Sequence, residues 1–139
     1  MALSLSMTRE SGKRTTDLYL YEQAVLLSKS ASEYALLRIA RDGPCSNTGG
    51  INFRPDLNNN ANINDDIFTV NITLRYSYTN ADVAVMAAPN NCAGANDRFA
   101  TVTAPEQSGS VLMDVTVFVN DPSLATEPIR YFRRTIQKL

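Results

Sequence analysis

Residues 17–44 read DLYLYEQAVLLSKSASEYALLRIARDGP. No glycine or proline interrupts this run before Gly43, and Ala, Leu, Glu, Gln, Lys and Arg, all strong helix formers, dominate it. Leu20, Ala24, Leu27, Ala31, Tyr34 and Leu37 recur at spacings of four and three, which places them on one face of a helix. Thr15, Thr16 and Asp17 offer capping oxygens at the start. Gly43 suits the left-handed position after the last turn, Pro44 stops the helix, and Arg38 and Arg41 suit the negative end of its dipole. The expected helix spans about residues 16–42 and runs roughly 37 Å at the standard rise. Val25, Leu26 and Leu27, and again Ala35, Leu36 and Leu37, spread apolar surface over most of a turn. A helix packed on one side only has no use for that much. Either it is deeply buried or other subunits cover a second face.

After the helix the period changes. Residues 46–66 hold Gly49-Gly50, Pro55 and the Asn-rich run DLNNNANINDD, and read as a long loop. From residue 67 the alternation is two: Phe68, Val70, Ile72, Leu74, Tyr76 and Tyr78 against Thr69, Asn71, Thr73, Arg75 and Ser77. Val111, Met113, Val115, Val117 and Val119 repeat the pattern, as do Ile129, Tyr131, Arg133 and Thr135. Shorter strands are expected near residues 83–88 and 99–103. The result is an α+β domain in which a long N-terminal helix packs on an antiparallel sheet of three to five strands, occupying residues 67–139.

The chain has 139 residues, enough for one domain, here residues 16–139, with residues 1–15 as a remnant of an anchor or linker. Thirteen Asn, twelve Thr and eleven Ser replace the charge that a typical domain carries, a composition suited to strands and turns. With no His, the triads and metal sites that depend on imidazole are excluded. No carboxylate pair is singled out by spacing, and no phosphate-binding or nucleophile-elbow motif occurs. The expectation is a protein that is not an enzyme and has no small-molecule substrate.

Charge is uneven beneath a net −1. Residues 45–128 hold nine Asp and Glu against three Lys and Arg, whereas residues 129–139 hold Arg130, Arg133, Arg134 and Lys138 and no acid. Tyr131 and Phe132 interleave with these cations, a mixture able to meet single-stranded nucleic acid. On a strand, however, Arg130, Phe132 and Arg134 point one way and Tyr131 and Arg133 the other. That divides the set and favours a solvated edge strand whose charges discourage aggregation.

Asp56, Asn58 and Asn60 match the first three ligand positions of a calcium loop, and Asp65 and Asp66 could add oxygens. Ala61 replaces the required glycine and Ile67 the closing Glu, so an Asn-rich turn is the preferred account and no cofactor is expected. Cys45 and Cys92 both sit among turn residues. Paired, they close a long loop and stabilise by about 4 kcal/mol on the chain-entropy argument, in an oxidising compartment. The alternative is two separate buried thiols. Residues 2–7 are mildly apolar but too short to span a bilayer, and they lack a signal-peptide pattern. An apolar anchor removed from in front of them reconciles this start with a disulfide, and makes Met1 an added start.

This layout resembles the bacterial type IV pilins and type II secretion pseudopilins without their anchor. The resemblance rests on KRTTDLYLYEQAVLLSKSASEYALLRIA (residues 13–40) and TEPIRYFRRTIQKL (residues 126–139). It implies a structural subunit held in the bacterial inner membrane by the missing anchor, on its periplasmic face or in a cell-surface filament. Helices pack at the filament core through the stripe from Leu20 to Leu37 while the sheet faces outward, and the partners are other pilin-like subunits. The alternative is a minor-pilin-type binding module. It contacts DNA, a surface or a glycan through its loops and its basic end at Arg130, Arg133, Arg134 and Lys138.

Overall fold

The computed structural model describes residues 2–43, 50–55, 62, 65–78, 98–101 and 109–139. One helix, α1 (Ala2–Asp42), is followed by β1 (Ile51–Phe53), β2 (Phe68–Tyr78), β3 (Arg98–Thr101), β4 (Gly109–Val119) and β5 (Arg130–Lys138). The architecture is the expected α+β one: an N-terminal helix packed on an antiparallel sheet.

The sheet runs β1-β2-β4-β5. β2 pairs with β4 along its whole length, from Phe68 opposite Val119 to Tyr78 opposite Gly109. β4 pairs with β5 from Ser110 opposite Lys138 to Phe118 opposite Arg130. The second edge of β2 is shared. β1 pairs antiparallel with Val70–Ile72, while β3 pairs parallel with Tyr76–Tyr78. β1 lies inside the stretch expected to be loop. Three residues are too few to display a period, yet Ile51 is buried and Phe53 meets the ring of Tyr34 at 5.3 Å.

Gly50 makes the approach to β1 possible. Its φ is +109°, and a Cβ placed there would lie 2.6 Å from the carbonyl oxygen of Ile72. Only glycine accepts both conditions.

The helix is longer than the sequence reading allowed. It starts at Ala2, not near residue 16, so residues 2–15 are helical. The threonines explain the difference. The Thr15 hydroxyl donates to the Ser11 carbonyl at 2.9 Å and the Thr16 hydroxyl to the Gly12 carbonyl at 3.1 Å. Hydroxyls read as N-caps instead turn back on the preceding turn of a helix already under way. Thr8 does the same to Ser4. At its other end the helix stops as expected: Gly43 takes φ +82° and its N–H donates to the Ile39 carbonyl at 2.9 Å.

The core lies between the helix and one face of the sheet. Phe68, Val70, Ile72, Leu74 and Tyr76 of β2 and Val111, Met113, Val115 and Val117 of β4 fill it, as their alternation requires. The helix contributes a row of mainly small side chains: Ala24, Ser28, Ala31, Ser32 and Ala35, flanked by Leu20 and Ile39. Small residues let the helix backbone settle close to the valines and methionine below. The two buried serines cost little there. The Ser28 hydroxyl donates to the Val25 carbonyl at 2.7 Å and the Ser32 hydroxyl to that of Ser28 at 2.9 Å, so neither is stranded away from water.

Candidate functional site

The first buried residue of α1 is Leu20. Everything before it is exposed except Asp17, which is half-buried, so residues 2–16, about 22 Å of the rod, form an exposed overhang. Leu3, Leu5 and Met7 on this overhang, and Leu18 and Tyr19 just beyond it, are all more than half exposed. The outer side of the remaining helix continues the apolar surface. At 3.6 residues per turn, Tyr19, Leu26 and Leu37 fall within about 20° of one line. That line is opposite the row of Ala and Ser that meets the sheet. Leu26 is 55% and Leu37 69% exposed.

The stripe read from sequence is therefore divided. Leu20, Ala24 and Ala31 are buried under the strands of their own chain, and Leu27 and Tyr34 are partly buried against the same core. Leu37 alone of the six faces outward. The apolar side chains left exposed on this part of the helix lie on the opposite line, at Tyr19, Leu26 and Leu37. The helix carries apolar residues on several sides, and the spacing of four and three blurred which of them are buried and which are exposed. The buried serines were the missing signal: they lie on the core face, and a count of apolar residues passes over them.

A clamp sets the point where the overhang leaves the domain. Asp17 accepts hydrogen bonds from the Thr126 backbone N–H at 3.0 Å and from the Thr126 hydroxyl, tying the helix to the β4–β5 connection. One turn later the rings of Tyr21 and Tyr131 meet edge to face, centroids 5.8 Å apart. The Thr126 hydroxyl, with the backbone N–H next and Lys13 adding a smaller share, holds the Asp17 carboxyl below its usual range. Asp17, read as a possible helix cap, is thus a tether between elements.

A second polar knot secures the other side of the sheet. The Asp66 side chain is almost wholly buried and accepts from both Nε and Nη2 of Arg54, the latter at 3.1 Å; Arg54 Nη2 also reaches the Asn62 carbonyl at 2.7 Å. Asn120 donates to the Asp66 carbonyl at 2.7 Å and accepts from the Thr69 hydroxyl. This bears on the calcium reading. Asp66 is engaged by a guanidinium at both oxygens, which leaves it poorly placed to bind a cation. Asp56, Asn58 and Asn60 lie outside the described residues, and Asp65 is exposed. Among the described residues no cluster of three or more His, Cys, Asp or Glu side chains could hold a metal. Cys45 and Cys92, expected to pair, also lie outside the described residues.

The basic end is divided as the alternation requires. Arg130, Arg134 and Lys138 project from the outer face of β5 with Phe132 and Ile136, whereas Arg133 and Tyr131 are half-buried on the helix side. Arg134 donates in a fork to Asp114 of β4, at 2.6 and 2.7 Å, and its guanidinium lies 5.6 Å from the centre of the Phe132 ring. The hydrogen bonds from Arg134 lower the Asp114 pKa, and nearby Arg75 adds to the effect.

A depressed carboxylate contributes stability above its unfolded value and loses it as pH falls through the folded one. Both Asp17 and Asp114 therefore support the fold in full above about pH 4, and lose that support progressively as pH falls from there through their lowered folded values. For Asp114 the contribution is a fraction of a kcal/mol, because Arg134 is over half exposed. The expected result is a melting temperature that falls less steeply below pH 4 in Asp114→Asn than in the unaltered chain. Parallel curves would show that the fork does nothing for the fold.

No helix among the described residues is long and apolar enough to cross a membrane. Compared with known proteins, the chain matches no family model, no characterised relative and no solved structure.

Proposed function

We propose that the chain is a pilin-like structural subunit of a pilus or secretion pseudopilus, non-catalytic and without a cofactor. In this reading it is held at the periplasmic face of a bacterial inner membrane by an N-terminal anchor and is drawn from there into a filament. The observation that carries the reading is the division of α1. One side of its second half is buried by the chain's own sheet, while the opposite line and the whole overhang keep leucine, methionine and tyrosine in water. Exposed apolar surface of this extent on a rigid rod is a cost to a solitary protein and a contact surface in an assembly. The tether from Asp17 to Thr126 supports the same reading, because it gives every copy the same angle between rod and sheet.

The test is photo-crosslinking in the native cell, with a benzophenone amino acid at Leu18, Leu26 or Leu37 of the full-length product. Each position is expected to capture a second copy of the chain, while a label at Thr73, on the outer face of β2, is not. Labels on the rod that capture no second copy would refute the filament reading.

A further inference from the structure

Among the described residues, β5 forms one margin of the sheet, with β4 on one side and no strand on the other. Two hydrogen bonds set the phase of its ladder: Val119 N–H to the Ile129 carbonyl at 3.2 Å, and Leu139 N–H to the Gly109 carbonyl at 2.9 Å. In an antiparallel pair every second residue exchanges both bonds with its neighbour. The bonded pairs between these limits are thus Val117 with Tyr131, Val115 with Arg133, Met113 with Thr135 and Val111 with Gln137. The main-chain groups of Arg130, Phe132, Arg134, Ile136 and Lys138 point the other way, toward the open margin.

The side chains of those same five residues share the outer face, and all are exposed. They read cation, apolar, cation, apolar, cation. Phe132 is 51% and Ile136 64% exposed. With the described residues, Arg130 and Lys138 form no ion pair, and Arg134 is held by Asp114. A fivefold alternation of this kind, joined to a row of unused backbone donors and acceptors, selects its complement. The complement is an extended segment with carboxylates at every fourth residue and apolar side chains midway between them.

We propose that the open margin of β5 binds such an acidic segment of another protein by adding it to the sheet as a further strand. The main chain supplies the attraction, and the alternating side chains supply the choice of partner. The pattern is the same read in either direction, so it admits a parallel or an antiparallel guest. It also rejects the commonest wrong guest. A second β5, paired in register and antiparallel about Arg134, sets Arg130 against Lys138 and Arg134 against its own copy. Like charges directly opposite are destabilising, so the cations that blunt this edge against self-association are the ones that admit an acidic strand. Single-stranded nucleic acid is a poorer fit, since it calls for successive stacking rings and Phe132 is the one ring on the outer face of β5. This inference does not depend on the filament reading.

The test uses the whole chain and labelled nonapeptides, followed by fluorescence anisotropy and by amide exchange. The peptide ETVTETVTE is expected to bind and to slow exchange of the amides of Arg130, Phe132, Arg134, Ile136 and Lys138, which β4 does not protect. The double variant Arg130→Glu, Lys138→Glu alters two exposed side chains. It should bind that peptide about tenfold more weakly and gain affinity for KTVTKTVTK. Three results would overturn the proposal: a peptide of the same composition with its glutamates adjacent binding equally well, binding that leaves the five amides unprotected, or no peptide binding at all. A thymidine oligonucleotide that binds where the peptide does not would assign the face to nucleic acid instead.

Discussion

Met113→Ala is expected to lower the free energy of unfolding by about 3 kcal/mol, read from the midpoint of urea denaturation with the slope unchanged. Met113 is fully buried in the middle of β4, between Leu74 of β2 and Thr135 of β5 in the register. The size of the effect follows from what shares its core. The helix brings Ala24, Ala31 and Ala35, whose side chains end at Cβ and cannot swing into a void. A cavity left by methionine therefore stays largely open, which puts the loss within the usual range for such truncations instead of at its lower end. A loss below about 1 kcal/mol would show that this part of the interior can collapse and that the helix is not seated as described.

The opposite error should also be costly. Ala31→Leu is expected to destabilise by about 2 kcal/mol, because a larger side chain must lift the helix off β4 or force neighbours out of their rotamers. Ala31 is fully buried, whereas Leu37, on the far side of the same helix, is 69% exposed. Leu37→Ala is accordingly expected to change the stability of the isolated chain by less than about 0.5 kcal/mol. The contrast is informative in both directions. If Ala31→Leu is neutral, the row of small residues is not in contact with the sheet; if Leu37→Ala is severe, the outer line of the helix is not free.

The strands were legible because their evidence is redundant. β2 and β4 each run for eleven residues, and a shift of one position would exchange the apolar face of β2 for Thr69, Asn71, Thr73, Arg75 and Ser77 and bring Asp114 and Thr116 of β4 into the core. Their burial follows the alternation closely. The end of the helix was equally plain, since Gly43 suits the left-handed position that closes a helix and Pro44 cannot continue one. Its start was not. Thr15, Thr16 and Asp17 have the chemistry of a cap, and the same hydroxyls serve as well inside a helix by bonding back to Ser11 and Gly12. Local sequence does not distinguish the two, because the choice turns on whether the preceding residues are already helical.

The surfaces were legible only in part, and for a different reason. The breadth of apolar residues on α1 suggested two covered faces, but the assignment of Leu20, Ala24, Leu27, Ala31, Tyr34 and Leu37 to one stripe joined residues that end on opposite sides. Serine obscured the pattern. On a helix a buried serine can satisfy itself, so the core face here is smaller and more polar in composition than an apolar stripe leads one to expect. The division of the basic end into two faces did follow from alternation. That its outer face coincides with the outward-pointing backbone did not, because the phase of the ladder is a property of the pairing with β4 and of no single strand.

The row of Ala and Ser under the helix has a mechanical consequence. The rod crosses the sheet from β5, where Tyr21 meets Tyr131, to β1, where Tyr34 meets Phe53, and is continuous from Ala2 to Asp42, so tension along its axis runs along the line of contact. All the interlocked turns from Leu20 to Ile39 then share the load at once and must slip together, as in a lap joint pulled in shear. A sideways pull on the overhang is met first by the single carboxylate of Asp17 and the ring of Tyr21, and opens the joint one turn at a time. The joint between rod and sheet is therefore expected to resist a pull along the helix better than one across it.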